Sequence, residues 1–458
     1  MKMIITFKKY IRQLVVMVFG CLFSCNNFTE TDLPNSQLTS STVFVDKKTT
    51  EAALLNIYAG IRDNGMLTGT NAGLCVLMGV YTDELVFYSN SLPSQREFYV
   101  NAVVPQNEIV QNLWNQSYNQ LYKINAFLEG VRNSGTLDDS YKSSVIAEAL
   151  TLRGFLYFYL YQIYGSVPYV TGTNYLQNQI VSRDPVEVVR SKIEQDLDDA
   201  HQAFIRTSIK NPKTRISLYA LESIMAKYYL SVNNWDKAWF YSNEVILKSG
   251  AILEMNLNNE FKKDSRSSIW QFSPNVATGN SVEAGTFLIN ATPPSFVSLN
   301  PAFVNAFQTA DQRKMLWIKT LGQGQNLFYQ PNKYKIPNPA TESVENTMVI
   351  RLAELYLIRA EANFKIGQSN LAVNDINVIR NRAGLPSVNA VSDDLILEER
   401  WKELFTEFGV RFFDLKRKGR LDDLKPVKSN WNSYQENLPI PEKELLLNPK
   451  LLPQNEGY

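Results

Sequence analysis

A predominantly α-helical body, built on paired antiparallel helices and interrupted by two long irregular regions with minor β-structure, is the fold class this sequence predicts. Three observations carry it. Several segments place apolar residues at helical spacing. Two stretches repeat an alanine twelve positions apart around a turn: Ala226 and Ala238 about Asn233-Asn234-Trp235, and Ala360 and Ala372 about Gly367-Gln368-Ser369. Residues 251–347, in contrast, are rich in Asn, Ser, Thr, Gly and Pro and hold no sustained helical period.

The chain opens with a leader. Lys2, Lys8, Lys9 and Arg12 precede an uncharged run, Leu14 to Phe23, which is too short to span a bilayer as a stable helix and reads as a secretory signal over residues 1–24. The tetrapeptide Leu22-Phe23-Ser24-Cys25 resembles a bacterial lipobox, which implies that the Cys25 thiol carries palmitate-type acyl chains. Each buried CH₂ contributes about 0.8 kcal/mol, so more than one chain is needed for stable anchoring. The polar run that follows, to about residue 40, reads as a tether, and residues 41–458 as a single domain without a Pro/Gly/Ser linker or charge block to divide it.

Within that domain Thr50 to Arg62 is a predicted helix capped by Thr49 or Thr50. A loop region, residues 64–105, leads to a second helix beginning at Asn107. There Val110, Leu113, Leu121, Ile124, Leu128 and Val131 form one apolar face. Tyr141 to Tyr164 reads as a long buried helix stopped by Gly165 and Pro168, and Pro185 to Phe204 as a more polar one. The paired alanines let two antiparallel helices approach closely, as in tetratricopeptide-type hairpins. The two hairpins are offset by 134 residues, so they form no tandem array in sequence, and the insertion 251–347 lies between them. It holds one β-like run, Ser268 to Phe272. A stretch of this length with little regular structure is usually functional.

Composition then excludes function classes. Loss of the leader removes four basic and no acidic residues from a chain of net charge +1, so the mature protein is slightly acidic and no nucleic-acid partner is expected. Of three cysteines, Cys21 leaves with the leader and Cys25 takes lipid, so Cys75 is left without a disulfide partner and reads as a small buried hydrophobe. The single histidine, His201, reads as a solvated helix residue and leaves no basis for a Ser–His or Cys–His nucleophile. No metal or cofactor is expected. Carboxylate chemistry stays open, with Asp83-Glu84 and Glu398-Glu399 as local pairs, the second reading as an ion-pairing helix segment with Arg400 and Lys402.

Binding is the remaining class. Aromatic rings stack on the C–H faces of sugars while amides and charges engage hydroxyls, and peptides use similar clefts. The ligand-binding candidates are Tyr81, Asp83, Tyr88, Arg96, Tyr99 and Asn101 in the first loop region, with Phe287, Phe328 and Tyr329 in the second. Trp270 and Trp317 are assigned to the core.

Several segments carry a family resemblance. Arg351-Leu352-Ala353-Glu354 through Ala360-Glu361-Ala362, then Ile376-Asn377 and Arg380-Asn381-Arg382-Ala383-Gly384-Leu385, are similar to the most recognisable stretch of the SusD/RagB family. Ile396 to Arg420 is similar to its following signature helix, and Pro441, Glu444, Asn448-Pro449 and Gln454 to Tyr458 to its closing motif, with Glu456 where proline is usual. Asp196-Leu197 with Ala200, and Gly165-Ser166-Val167-Pro168, fit as well. The resemblance implies a SusD-like, non-enzymatic nutrient binder, a lipoprotein exposed on the outer membrane. It would capture a glycan, or a peptide in RagB-like members, and pass it to a SusC-like TonB-dependent transporter. It implies further that Arg351, Glu354, Arg400, Arg411 and Asp414 pair between helices rather than touch ligand. The chain is short for that family, which implies one ligand site rather than several.

Overall fold

The first scaffold helix, α1 (Lys47–Asp63), begins where Asp46 accepts the Lys48 and Thr49 amides at 2.8 and 3.0 Å, so the cap lies three or four residues before the Thr49 or Thr50 expected from the sequence. The computed structural model describes residues 43–207 and 210–458. The leader, Cys25 and the tether lie outside them. Residues Phe44–Tyr458 form one compact unit that contains eleven helices of eight residues or more.

After α1 comes α2 (Leu74–Tyr81), inside what reads as loop in the sequence. All eight of its residues are buried, so it has no polar face and no amphipathic period to betray it. The helices α3 (Glu108–Asn133), α4 (Asp139–Tyr164) and α5 (Val186–Ile205) follow, close to their predicted bounds. Asn107 caps α3 by accepting the Ile109 and Val110 amides, and all six predicted apolar residues of α3 are buried. Helix α4 is the central one: twenty of its 26 residues are buried because α3 and α5 pack against it. It stops at Gly165, whose φ of 73° suits glycine.

Two buried charges on α4 are paired. Arg153 holds Asp196 of α5 through two bonds of 2.7 and 2.6 Å. Glu148 accepts the Tyr58 hydroxyl of α1 at 2.6 Å and the Arg215 guanidinium.

The two hairpins are α6 (Leu218–Ser231) with α7 (Trp235–Lys248), and α8 (Leu352–Lys365) with α9 (Ser369–Arg382). Ala226, Ala238, Ala360 and Ala372 are fully buried. Although 103 residues of sequence separate Lys248 from Leu352, α7 packs directly on α8, with Arg359 donating to Asn243 at 2.9 Å. Helices α5 to α9 therefore form a continuous layer, completed by α10 (Asp393–Leu404) against α8 and by α11 (Val410–Arg417).

Among the described residues six strands complete the fold: β1 (Leu85–Phe87), β2 (Ser268–Phe272), β3 (Val297–Leu299), β4 (Ile318–Gln323), β5 (Asn326–Pro331) and β6 (Thr347–Arg351). β2 pairs antiparallel with β6 and buries Trp270, while the other four form one antiparallel sheet in the order β1-β3-β5-β4. The insertion thus holds more regular structure than its composition suggests. Trp317 is fully buried, donating its indole N–H to the Leu257 carbonyl at 3.1 Å, and Cys75 is buried as well.

The insertion is clamped to the helical layer by charge. Glu260, Asp311, Arg313 and Lys333 from the insertion meet Arg351, Arg380, Arg382, Glu399, Glu403 and Glu407. Arg351 alone reaches Glu260 at 3.1 Å, Glu403 at 2.5 Å and Glu407 at 2.8 Å, and Arg382 pairs with Glu403. The other residues expected to form ion pairs also do so: Glu354 with Lys227, Arg400 with Asp414, and Arg411 with Asp83, a residue that reads as a ligand candidate in the sequence. Lys402 pairs with Glu398 as expected, but Glu399 pairs with Arg313 and Arg380 instead of Arg400.

Candidate functional site

Four antiparallel strands bring the two predicted ligand regions into one sheet. β1 comes from the first region and β3, β4 and β5 from the second, with Val86 opposite Ser298, Leu299 opposite Tyr329, and Leu321 opposite Phe328. Side chains alternate across such a sheet. Leu85, Phe87, Val297 and Leu299 share the inner face and are buried. Tyr88, Ser298, Leu321 and Phe328 take the opposite, outer face.

On that outer face Tyr88 and Phe328 meet edge to face, ring centroids 5.8 Å apart. The Tyr88 hydroxyl lies 3.2 Å from the Ser298 hydroxyl, and its amide donates to the Phe296 carbonyl at 2.8 Å, which prolongs the β1–β3 pairing by one residue. Both residues are half-buried.

Tyr99 ends the short helix Pro93–Tyr99 beside this pair, packed on Phe87 with centroids 6.1 Å apart. Burial raises its phenol pKa, the neighbouring Tyr88 raises it further, and Arg96 lowers it. Arg96, one turn earlier, is exposed. Tyr88 and Phe328 are therefore the predicted residues that share the outer face, whereas Tyr99 packs on the inner-face ring of Phe87 and Arg96 is exposed on the neighbouring short helix.

The remaining candidates are built into the body. Tyr81 is fully buried and donates to the Gln435 carbonyl at 3.0 Å, because it sits on the all-apolar helix α2. Asn101, also buried, donates to the Tyr81 carbonyl at 3.0 Å and has φ of 50°, so it shapes the turn after Tyr99 rather than meeting a ligand. Phe287 is buried at the end of the short helix Val282–Phe287. Tyr329 turns to the inner face by register, opposite Leu299, and packs partly on the core.

Asp83 is held by Arg411 through two bonds of 3.0 and 2.7 Å. Glu84 is buried; desolvation, and then the Asp83 charge, push its pKa up to about 8. The pair that a hydrolytic reading would need is thus one ion-paired anion and one buried acid. His201 is half-buried rather than solvated, its Nε2 3.2 Å from Glu222 and its ring edge-on to Tyr241.

Two residues of the site were not legible in the sequence. Phe296 packs edge-on against Phe87 at 5.9 Å and stands immediately before a strand too short to recognise from the sequence. Lys428 gave no signal at all. It comes from a polar C-terminal stretch, holds the Val80 and Tyr99 carbonyls at 2.5 and 2.9 Å, and places its ammonium 4.2 Å from the Tyr99 ring centroid. Burial pushes its pKa down to about 7.

Known proteins match the chain from both ends. Residues 318–458 match the family model described as the SusD family, and residues 28–230 match one described as starch-binding, associating with the outer membrane. A SusD-like protein of Formosa agariphila is 23% identical over 97% of this chain and 98% of its own length. A solved laminarin-binding SusD-like protein is 22% identical and superposes with a TM-score of 0.78 over 90% of this chain and all of its own. Surface glycan-binding protein A of Bacteroides thetaiotaomicron, solved with laminarihexaose, is 19% identical with a TM-score of 0.75 over 89% of this chain and 99% of its own.

Proposed function

Because the chain belongs to the SusD/RagB family, one of whose matching models is described as starch-binding and associating with the outer membrane, we propose that it captures a nutrient oligosaccharide at the cell surface and hands it to a SusC-like TonB-dependent transporter. Cys25 anchors it through lipid, and the ligand rests on the outer face of the β1-β3-β5-β4 sheet. The observation that carries this reading is the Tyr88–Phe328 pair: two rings from distant parts of the chain, held edge to face on an outer sheet surface. The π face of a ring accepts the C–H face of a pyranose, and Arg96 beside Tyr99 supplies donors for hydroxyls. No step of bond breaking is assigned, since Asp83 is neutralised by Arg411 and Glu84 is buried.

Calorimetry of the purified protein against plant, host and microbial polysaccharides, with a mixed peptide library alongside, tests the ligand class. Binding to one polysaccharide class is expected. Binding to peptides with silence on every glycan would replace this reading with a RagB-like one.

A further inference from the structure

A groove of about 500 Å³ lies between α3, the segment after Gly165 and the C-terminal residues 444–451, and shares no residue with the four-stranded sheet. Its floor is a ladder of rings. Trp114, Tyr118 and Tyr122 stand four residues apart on successive turns of α3, which at 1.5 Å per residue spaces them about 6 Å apart, comparable to one linked pyranose unit. Trp114 and Tyr118 lie 4.8 Å apart at 41°, and the Tyr118 hydroxyl donates to the Pro168 carbonyl at 2.8 Å, which fixes its ring. Tyr122 and Tyr175 are 52% and 73% exposed, large values for aromatic residues.

The polar groups of the groove select among ligands. Among the described residues no Lys or Arg lines it, and Glu444 is the single charged side chain that does. That carboxylate is half-buried, makes no hydrogen bond or ion pair among the described residues, and has its pKa raised by burial with no cation to offset it. The side-chain amides of Asn115 and Gln179 are likewise unbonded within the described protein. Rings in register, free amides and one acceptor carboxylate suit hydroxyl-rich, uncharged ligands and disfavour anionic ones. A cavity of this volume falls within the range of small-ligand sites.

We propose that this groove is a second carbohydrate site, one that takes a short stretch of a neutral glycan. Tyr118 and Tyr122 stack successive sugar units, Tyr175 closes over them, and Glu444 accepts from a hydroxyl. The protein then holds a polymer at two places, and linking two weak sites raises the apparent affinity without any new contact. This extends the family-based expectation of one site.

The test uses the full-length protein in detergent, run through native gels containing soluble starch, laminarin, xylan or galactomannan. Tyr122→Ala/Tyr175→Ala is expected to lose at least threefold in retention on the polysaccharide that holds the wild type, and Glu444→Gln to lose less. Both tyrosines are exposed, so their removal leaves the melting temperature unchanged. The inference is overturned if the double variant is retained like the wild type on every gel, or if no neutral polysaccharide retains the wild type. It is equally overturned if the groove variants lose only peptide binding. The sheet-face reading fails separately, through a Tyr88→Ala/Phe328→Ala protein that runs like the wild type while the groove variant does not.

Discussion

Replacing Arg351 with methionine removes the cation that ties the insertion to the helical layer. Five acidic groups (Glu260, Asp311, Glu399, Glu403 and Glu407) face five basic ones (Arg313, Lys333, Arg351, Arg380 and Arg382) in that cluster, so the charges balance. Arg351 is 1% exposed, and its loss leaves one uncompensated negative charge in the interior. Breaking a buried pair by removing one partner costs about 3–5 kcal/mol. The low end applies here, because Glu260 and Glu403 keep Arg382, and Glu407 keeps Lys333.

We therefore expect Arg351→Met to lose about 3 kcal/mol in urea denaturation followed by circular dichroism. Arg351→Lys should lose somewhat less, since an ammonium cannot reproduce the forked contacts to three carboxylates. The pH dependence carries a second signature. Burial by itself would raise the Glu403 pKa, but Arg382, Arg351 and Arg313 together hold it well below the usual carboxylate range. A depressed pKa contributes stability that is present above the unfolded value, near 4.5, and is lost as pH falls below it. Wild type should weaken steeply below that pH and Arg351→Met less steeply. A loss under 1 kcal/mol with an unchanged acid limb would refute the reasoning.

Further outcomes follow from other parts of the structure. Glu84 has the opposite sign: its pKa is raised to about 8, so its contribution is complete below about 4.5 and disappears as pH rises toward 8, and Glu84→Gln should flatten the stability curve across that window, measured by thermal melts at stepped pH. Ala238→Leu adds volume at a fully buried helix–helix contact and should cost about 1–3 kcal/mol in the same denaturation assay, whereas Leu247→Ala, 67% exposed on the same helix, should change little. Cys25→Ala should release the protein from the membrane fraction into the soluble one on fractionation, and an unchanged distribution would refute lipid anchoring.

Much of the scaffold was legible in the sequence, for a physical reason. The alanine pairs mark close helix contacts wherever they occur, and α3 to α5 show period or length that survives without tertiary context. What brings α7 onto α8 is packing across the insertion, which no local pattern encodes. Helix α2 was illegible because burial on every side erases the amphipathic signal.

The site followed the same division. Ring chemistry pointed to the right two regions, but orientation is decided by register. Phe328 and Tyr329 are adjacent in sequence and face opposite ways, and Tyr81 is carried inward by helix α2, which has no amphipathic period. Arg351, Arg400 and Arg411 were recognised as structural through the family resemblance, and their partners Glu260 and Asp83 are far away in the chain.

The most direct test of the account is calorimetry of wild type and Tyr88→Ala/Phe328→Ala against the polysaccharide that binds. Taking each ring–sugar contact at about 0.5–1.5 kcal/mol, the double variant should bind about 5- to 150-fold more weakly, measured well below its melting temperature because losing the edge-to-face pair also lowers stability slightly. A dissociation constant within twofold of wild type would contradict the placement of the ligand on this face.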